Sequence, residues 1–360
     1  VDTDADRVTA WRIASQKLGA GRCRQPEQAV AWLGGIQAQD HQGAKWSIGL
    51  RTEGCTDREV EQAIRERRIV RTWMFRGTLH FVAAVDLSWL TSLLAPGIIR
   101  ANARRYRQLD LDDASFEKAR EVMREALRRN GFLTRAEIGA RFKEKGVPAE
   151  GQQLPYLLQR AALDGAICQG PLRGKEPTYV LAADWAVPGP TLDHENAPGR
   201  LAGRYFASHG PATRRDFSWW TGLSAGQVGP ALEGAPELQR MEVQGIEYWA
   251  AEAPHCPGTG GWLLPPFDEY LLGYKDRHPQ LDAEHVKRIN AGGGMPKPAV
   301  VVNGRVAGLW THKQKKHELA VDIHPFRALS PAERELIEAA AEDLGRFMSM
   351  PVAVSFTPAD

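Results

Sequence analysis

Cysteine is scarce in this chain, and its placement excludes more than its number does. Four cysteines occur in 360 residues (Cys23, Cys55, Cys168 and Cys256), widely spaced, with no C-x-x-C pair and only His255 beside Cys256. Such a set holds neither zinc nor an iron–sulfur cluster, and scattered thiols suit a reducing cytosol. No metal and no cofactor is expected. Long apolar runs are missing as well. The most apolar stretch, Leu79 to Ile99, is interrupted by His80, Asp86 and Pro96, which rules it out as a membrane span. The first residues include Asp2, Asp4 and Asp6 and lack the apolar core of a signal peptide. These absences point to a cytoplasmic protein with no membrane partner. Charge of one sign is also missing: 46 basic residues stand against 44 acidic ones, a net of +2. Any affinity for nucleic acid must therefore come from local basic clusters.

What is present is a repeated pattern. Gly131-Phe132-Leu133-Thr134-Arg135-Ala136-Glu137-Ile138 leads through two helical stretches to Tyr179-Val180-Leu181, and Gly210-Pro211-Ala212-Thr213-Arg214-Arg215-Asp216-Phe217 leads likewise to Tyr248-Trp249-Ala250. A Thr followed three residues later by an acidic residue marks a helix start, because hydroxyl and carboxylate each satisfy an unpaired backbone donor. Helices followed by a two-stranded ribbon describe a winged helix. A third, more diverged copy precedes them. Residues 7–18, 26–36 and 58–67 read as its helices, with Ile69–Trp73 and Thr78–Val82 as strands around the turn Arg76-Gly77.

The expected architecture is α+β: three tandem winged-helix units and a C-terminal α+β lobe, forming a concave DNA-binding surface. The boundaries expected are 1–108 for the first unit with its helical connector, 109–190 for the second, 191–255 for the third and 256–360 for the lobe, with 186–199 as a linker. Residues 113–129 have helical spacing and open the second unit. Its candidate recognition helix, 153–164, turns Leu154, Leu157, Leu158 and Ala161 inward and leaves Gln159 and Arg160 outside. In the lobe, Val300–Val302, Asn303-Gly304 and Val306–Trp310 form a hairpin, because Asn-Gly favours the turn that matches strand twist. Glu318–Ile323 is a further strand, and Ser330-Pro331-Ala332-Glu333 caps a final amphipathic helix.

Two basic clusters bear on nucleic-acid contact. His312-Lys313-Gln314-Lys315-Lys316-His317 forms a hairpin tip able to track phosphates, each ammonium displacing a counterion. Arg100, Arg104 and Arg107 fall on one helical face. Arg76, at the first ribbon's turn, and Arg104 join the tip as expected DNA contacts. Trp219 and Trp220 cannot share one core position, and burial at a unit interface is the expected fate of the pair.

Gln37-Ala38-Gln39 follows an apolar helix. In an extended segment both amides point to one side and can hold a water molecule through their oxygens. Gly35-Ile36-Gln37-Ala38-Gln39-Asp40, with Arg76-Gly77-Thr78-Leu79-His80 and Phe267-Asp268-Glu269-Tyr270-Leu271-Leu272-Gly273-Tyr274-Lys275-Asp276-Arg277 downstream, resembles the AlkZ/YcaQ family of tandem winged-helix DNA glycosylases. The resemblance spans nearly the whole chain. Its Gln-apolar-Gln signature falls on Gln37 and Gln39; the YcaQ branch carries an acidic residue at the second position, so Gln39 favours the AlkZ branch.

The resemblance implies a monomeric, monofunctional glycosylase that hydrolyses the bond between deoxyribose C1′ and N7-alkylated guanine. It also implies unhooking of interstrand cross-links of the azinomycin B type, serving self-resistance and repair in association with the nucleoid. Gln37 and Gln39 would be catalytic, and Asp40 is expected to point away from them. A cross-linked guanine stays tethered to the opposite strand, so an open channel without a deep nucleobase pocket is expected. The rival reading is a winged-helix transcriptional regulator, although such proteins usually dimerise with one DNA-reading unit per protomer.

Overall fold

The structure, a computed structural model, describes residues 4–189, 196–252, 258–290, 292 and 295–359. Cys256 with His255, the 190/191 and 255/256 boundaries and residues 190–195 of the linker lie outside them. After helix α1 (Asp4–Ser15), the first unit runs α2 (Pro26–Leu33), β1 (Ile36–Gln37), α3 (His41–Gly49), α4 (Asp57–Arg65), β2 (Ile69–Trp73) and β3 (Leu79–Ala83). Helix α5 (Leu87–Gln108) leads to α6 (Asp113–Asn130), β4 (Leu133–Thr134), α7 (Arg135–Glu144), α8 (Gln153–Leu163), β5 (Ile167–Arg173) and β6 (Glu176–Leu181). The third unit has α9 (Asn196–His209), α10 (Arg214–Thr221), α11 (Ala225–Glu233), β7 (Gln239–Val243) and β8 (Ile246–Ala250). In each unit a short extended stretch before the second helix pairs with the last ribbon strand: Ile36 with Phe81, Leu133 with Tyr179, Ala212 with Trp249.

The helix starts follow local chemistry. Thr134 with Glu137 and Thr213 with Asp216 form reciprocal caps on α7 and α10. The first unit departs from this plan. Its equivalent helix, α3, begins at Asp40 with no side-chain cap bond, and three residues separate it from β1. The sequence pattern places no helix at 41–49 and extends α2 to 36. Helix α3 has two glycines and no apolar stripe because it is buried on every side from Gly43 to Gly49, so packing overrides propensity. Helix α2 stops at Gly34, whose φ of 83° ends it in a left-handed cap. Helix α1 therefore stands outside the first winged-helix unit.

Two sheets organise the rest. One has six strands in the order β1-β3-β2-β5-β6-β4, so the ribbons of the first two units fuse through the pair Arg71–Gln169. The fusion tucks α8 away: Gln159 donates to the Gly77 carbonyl and accepts from Asn102, while Arg160 pairs with Asp164. Contrary to the outward placement expected of Gln159 and Arg160, this recognition helix is occupied within the protein. The C-terminal lobe comprises β9 (Gly261–Leu264), α12 (Glu269–Leu272), α13 (Val286–Ile289), β10 (Ala299–Val302), β11 (Arg305–Gln314), β12 (Leu319–Pro325), α14 (Pro331–Met348) and β13 (Val352–Phe356). Its sheet runs β13-β12-β11-β10-β9, two strands more than the sequence pattern marks. Asn303 and Gly304, with φ of 48° and 85°, make the expected hairpin turn.

The cores do not follow chain order. Leu33, Ile48 and Phe81 share a core with Trp262, Val301 and Phe347 of the lobe, whereas Phe75 and Val82 pack with Tyr205, Phe217 and Trp220 of the third unit. Joining them is a buried ion pair. Asp268 accepts two bonds of 2.9 Å from Arg51, both side chains being fully buried, and a third from Ser47. Arg51 also donates to Gln16 on the segment after α1, at 2.7 Å. Breaking a pair like this strands a charge in a dry interior and costs about 3–5 kcal/mol. Asp268→Ala is expected to lower unfolding stability by that amount in denaturant titrations. A loss under about 1 kcal/mol would show that the pair does not bind first unit to lobe.

Candidate active site

The Gln37–Gln39 segment is held by backbone bonds on every side. The Ala38 amide donates to the Leu79 carbonyl at 2.7 Å, and the Ala38 carbonyl accepts from Arg71 Nε at 3.0 Å and Nη2 at 2.6 Å. Arg71 is itself fixed by Gln169 of β5 at 2.8 Å. Ile36 and Ala38 turn into the core, and Gly35 lies so close to the Phe75 ring that a Cβ there would sit 2.6 Å from it. Gln37 and Gln39 therefore take the other side of the strand end. Gln37 is buried and Gln39 exposed. The Gln39 oxygen accepts the Leu79 amide at 3.0 Å, and the Gln37 oxygen faces Arg76 Nη2 at 3.4 Å. Each amide oxygen keeps a second lone pair for a water proton.

Behind Gln37 sits a buried carboxylate that sequence reasoning missed. Glu269 Oε1 accepts the Gln37 amide at 3.1 Å, Oε2 accepts the Trp220 indole N–H at 2.8 Å, and His209 lies 3.5 Å from Oε2. Burial by itself would raise its pKa; His209, His80 and Trp220 outweigh that and hold it below the ordinary glutamate value. The available signal was an acidic pair, Asp268-Glu269, inside an otherwise apolar run, because buried carboxylates occur only where partners await them. Asp40 is the other near carboxylate. It is half-buried against Gly43 and makes no hydrogen bond among the described residues, despite standing at the N-terminus of α3.

A cleft of about 310 Å³ adjoins Gln37, lined among others by Arg76, Thr78, Trp219, Phe267 and Met295. The cleft is half open, with Trp219 and Phe267 as aromatic walls. Arg76 and Phe267, both on its lining, have left-handed backbones, φ 56° and 64°. Arg76 does not reach outward as a wing-tip contact. Its guanidinium donates to the carbonyls of Trp219 and Trp220 at the end of α10 and lies 4.5 Å over the Trp219 ring. The tryptophan pair divides accordingly: Trp220 fills the joint between units, and half-buried Trp219 lines the cleft.

The hairpin tip is exposed from Thr311 to His317. Its residues differ in freedom. Lys315 pairs with Glu318 at 2.6 Å and Gln314 contacts the Met350 sulfur at 3.3 Å, while Lys313 and Lys316 have no ion pair among the described residues. The His312 ring stacks on Trp310; that cover lowers its pKa, and the Asp40 carboxylate opposes the effect, which places the hairpin stem within the field of the Gln39–Asp40 loop. Arg100, Arg104 and Arg107 are all exposed on α5. No cluster of metal-ligating side chains occurs among the described residues, and no helix there is long and apolar enough to cross a membrane.

Comparison with known proteins shows the family and the fold. A family model described as "DNA glycosylase AlkZ-like" matches residues 30–347. An interstrand DNA cross-link repair glycosylase of Streptomyces sahachiroi is 30% identical over 362 residues, covering 93% of this chain and 94% of that protein. The solved structure of Streptomyces sahachiroi DNA glycosylase AlkZ superposes with a TM-score of 0.80 at 26% identity, over 97% of this chain and 99% of that one. A short match to human zinc finger protein 469, 31% identical over 137 residues, covers 3% of that protein and carries no argument.

Beneath the site, His80 pairs with Gln37 across β1 and β3. Its Nδ1 donates to the Thr78 carbonyl at 3.0 Å, and Nε2 is buried without a partner. Burial presses its pKa down to about 4 against the opposing pull of Glu269, and His209 is lowered for the same reason. An unfolded histidine takes its proton near pH 6.5, the folded one only near pH 4. The stability that neutral His80 represents is therefore complete above pH 6.5 and falls away as the pH drops toward 4. Denaturant titrations from pH 7 to 4 should show this loss, on the order of 3 kcal/mol at most. His80→Gln should flatten the profile; an unchanged slope in that variant would place the proton uptake elsewhere.

Proposed function

The chain belongs to the AlkZ-like DNA glycosylases, hydrolases of N-glycosyl bonds, and on that premise we propose that Gln37 and Gln39 position the water that releases N7-alkylated guanine, unhooking interstrand cross-links from duplex DNA. One observation carries the reading. Both amides stand on the same side of a strand end fixed by Ala38, with their oxygens oriented by Leu79 and Arg76. Glycosidic cleavage passes through an oxocarbenium-like state, usually aided by a carboxylate nucleophile or base. N7-alkylation makes the guanine cationic, so it departs as a neutral base and needs little help from a general acid. The protein's task reduces to placing water and balancing positive charge at C1′.

Uncharged amides suit the first part of that task, and the nearby Asp40 and Glu269 carboxylates supply a negative field for the second. DNA would be held by His312, Lys313, Gln314, Lys315 and Lys316 at the hairpin and by Arg104 with its neighbours on α5, around a concave channel, by a single copy of the chain. No observation favours a transcriptional regulator: the recognition helix of the second unit is taken up inside the protein.

Incubation with duplexes carrying an N7-alkylguanine cross-link should give single strands with an alkali-labile site. Gln39→Ala, and the double change with Gln37→Ala, should reduce base release at least about 100-fold while duplex binding stays near wild type. Uracil and unmodified purines should remain in place. Robust uracil excision by the purified protein would refute the mechanism.

A further inference from the structure

The cleft beside Gln37 has the volume for a nucleobase, but Arg76 on its lining and Arg277 against its Trp219 wall select something else. Two guanidiniums meet at Trp219: Arg76 with Cζ at 4.5 Å from the ring centre and Arg277 with Cζ at 5.9 Å. Arg277 follows α12 at the end of the 267–277 run. It is partly buried, its Nε is shielded from solvent without a hydrogen-bond partner, and it makes no ion pair among the described residues. Burial lowers its pKa, and the charge of Arg76 lowers it further. Arg76 feels the Glu269 carboxylate. That carboxylate is committed to the Gln37 amide, the Trp220 indole and His209.

Bringing two cations together with so little water and no carboxylate to bridge them is unfavourable, and stacking on an indole offsets only part of it. An anion with several oxygens would satisfy Arg277 together with the donors of Arg76 that the Trp219 and Trp220 carbonyls and Gln37 leave free. A cationic N7-alkylguanine would be repelled by the same pair. We propose that Arg76 and Arg277, stacked on Trp219, form a phosphodiester-binding site that seats the DNA backbone beside the lesion. The scissile sugar then lies along Gln37 and Gln39, and the cationic base stays outside the cleft. This assignment rests on the reading of the chain as acting on alkylated duplex DNA. It gives Arg277 a role that its place at the end of the 267–277 run does not suggest.

The test uses the full chain and a duplex with a tetrahydrofuran abasic nucleotide, with binding followed from about 50 to 200 mM salt. Arg277→Gln should weaken binding roughly 10-fold and lower the logarithmic salt slope by about 1. Arg277→Lys should restore the slope but only part of the affinity, since an ammonium lacks the planar fork. A neutral methylphosphonate at the phosphate flanking the abasic nucleotide should weaken wild-type binding to a similar extent and cost Arg277→Gln little more. Fully additive losses, or an unchanged salt slope in Arg277→Gln, would overturn the proposal. Thermal protection of the wild type by inorganic phosphate, with an unchanged slope on DNA, would instead mark a site for a free anion and equally overturn it. Base release from an N7-methylguanine duplex by the wild type is the separate control. Its failure alongside non-additive losses would sink the excision chemistry and leave the backbone site standing.

Discussion

Asp268 and Glu269, two adjacent carboxylates buried where four parts of the chain meet, are the constraint on which the structure turns. Asp268 draws in Arg51 and Ser47 of the first unit, and through Arg51 the Gln16 side chain. Glu269 draws in the backbone of Gln37, the indole of Trp220 and the ring of His209. An unpaired charge in such a place would be intolerable, so each carboxylate enforces the approach of its partners. The glutamine strand, the third unit and the lobe are consequently held in one relation.

On the proposed reading, that arrangement matters because the glutamines bring little intrinsic reactivity. A carboxamide neither takes a proton at neutral pH nor attacks carbon, so its contribution is orientation, and orientation is only as good as the support behind it. Here the support is dense: Arg71 on the Ala38 carbonyl, Leu79 on either side of the chain, Arg76 over Gln37, and Glu269 beneath it. Arg76 holds a left-handed backbone to do this, and the carbonyls of Trp219 and Trp220 fix it there.

Much of the fold was legible because its signals are local. The Thr134–Glu137, Thr213–Asp216 and Ser330–Glu333 caps and the Asn303-Gly304 turn each depend on residues within a few positions of one another. Helix α3 was not legible, since a segment buried all round shows no amphipathic stripe. The three-residue gap between β1 and α3, Ala38 to Asp40, carries no capping pattern to announce the helix that follows. At the site, the glutamines were found by resemblance and not by pattern. Glu269 lies 232 residues from Gln37, and no spacing rule spans that interval. The inward turn of Arg76 was hidden for a related reason: a basic residue at a ribbon tip suggests solvent until α10 of another unit is seen to receive it.

The fusion of the first two ribbons has a mechanical corollary. Arg71 belongs to β2, yet its guanidinium spans from the Ala38 carbonyl to Gln169 in β5, so one side chain links the reactive loop to the neighbouring unit. These two units cannot flex against each other without tugging on that loop. A duplex that strained the shared sheet would disturb the aim of the amides, and one that fitted it would leave the aim intact. On the proposed reading, faithful docking and competent chemistry would become a single event.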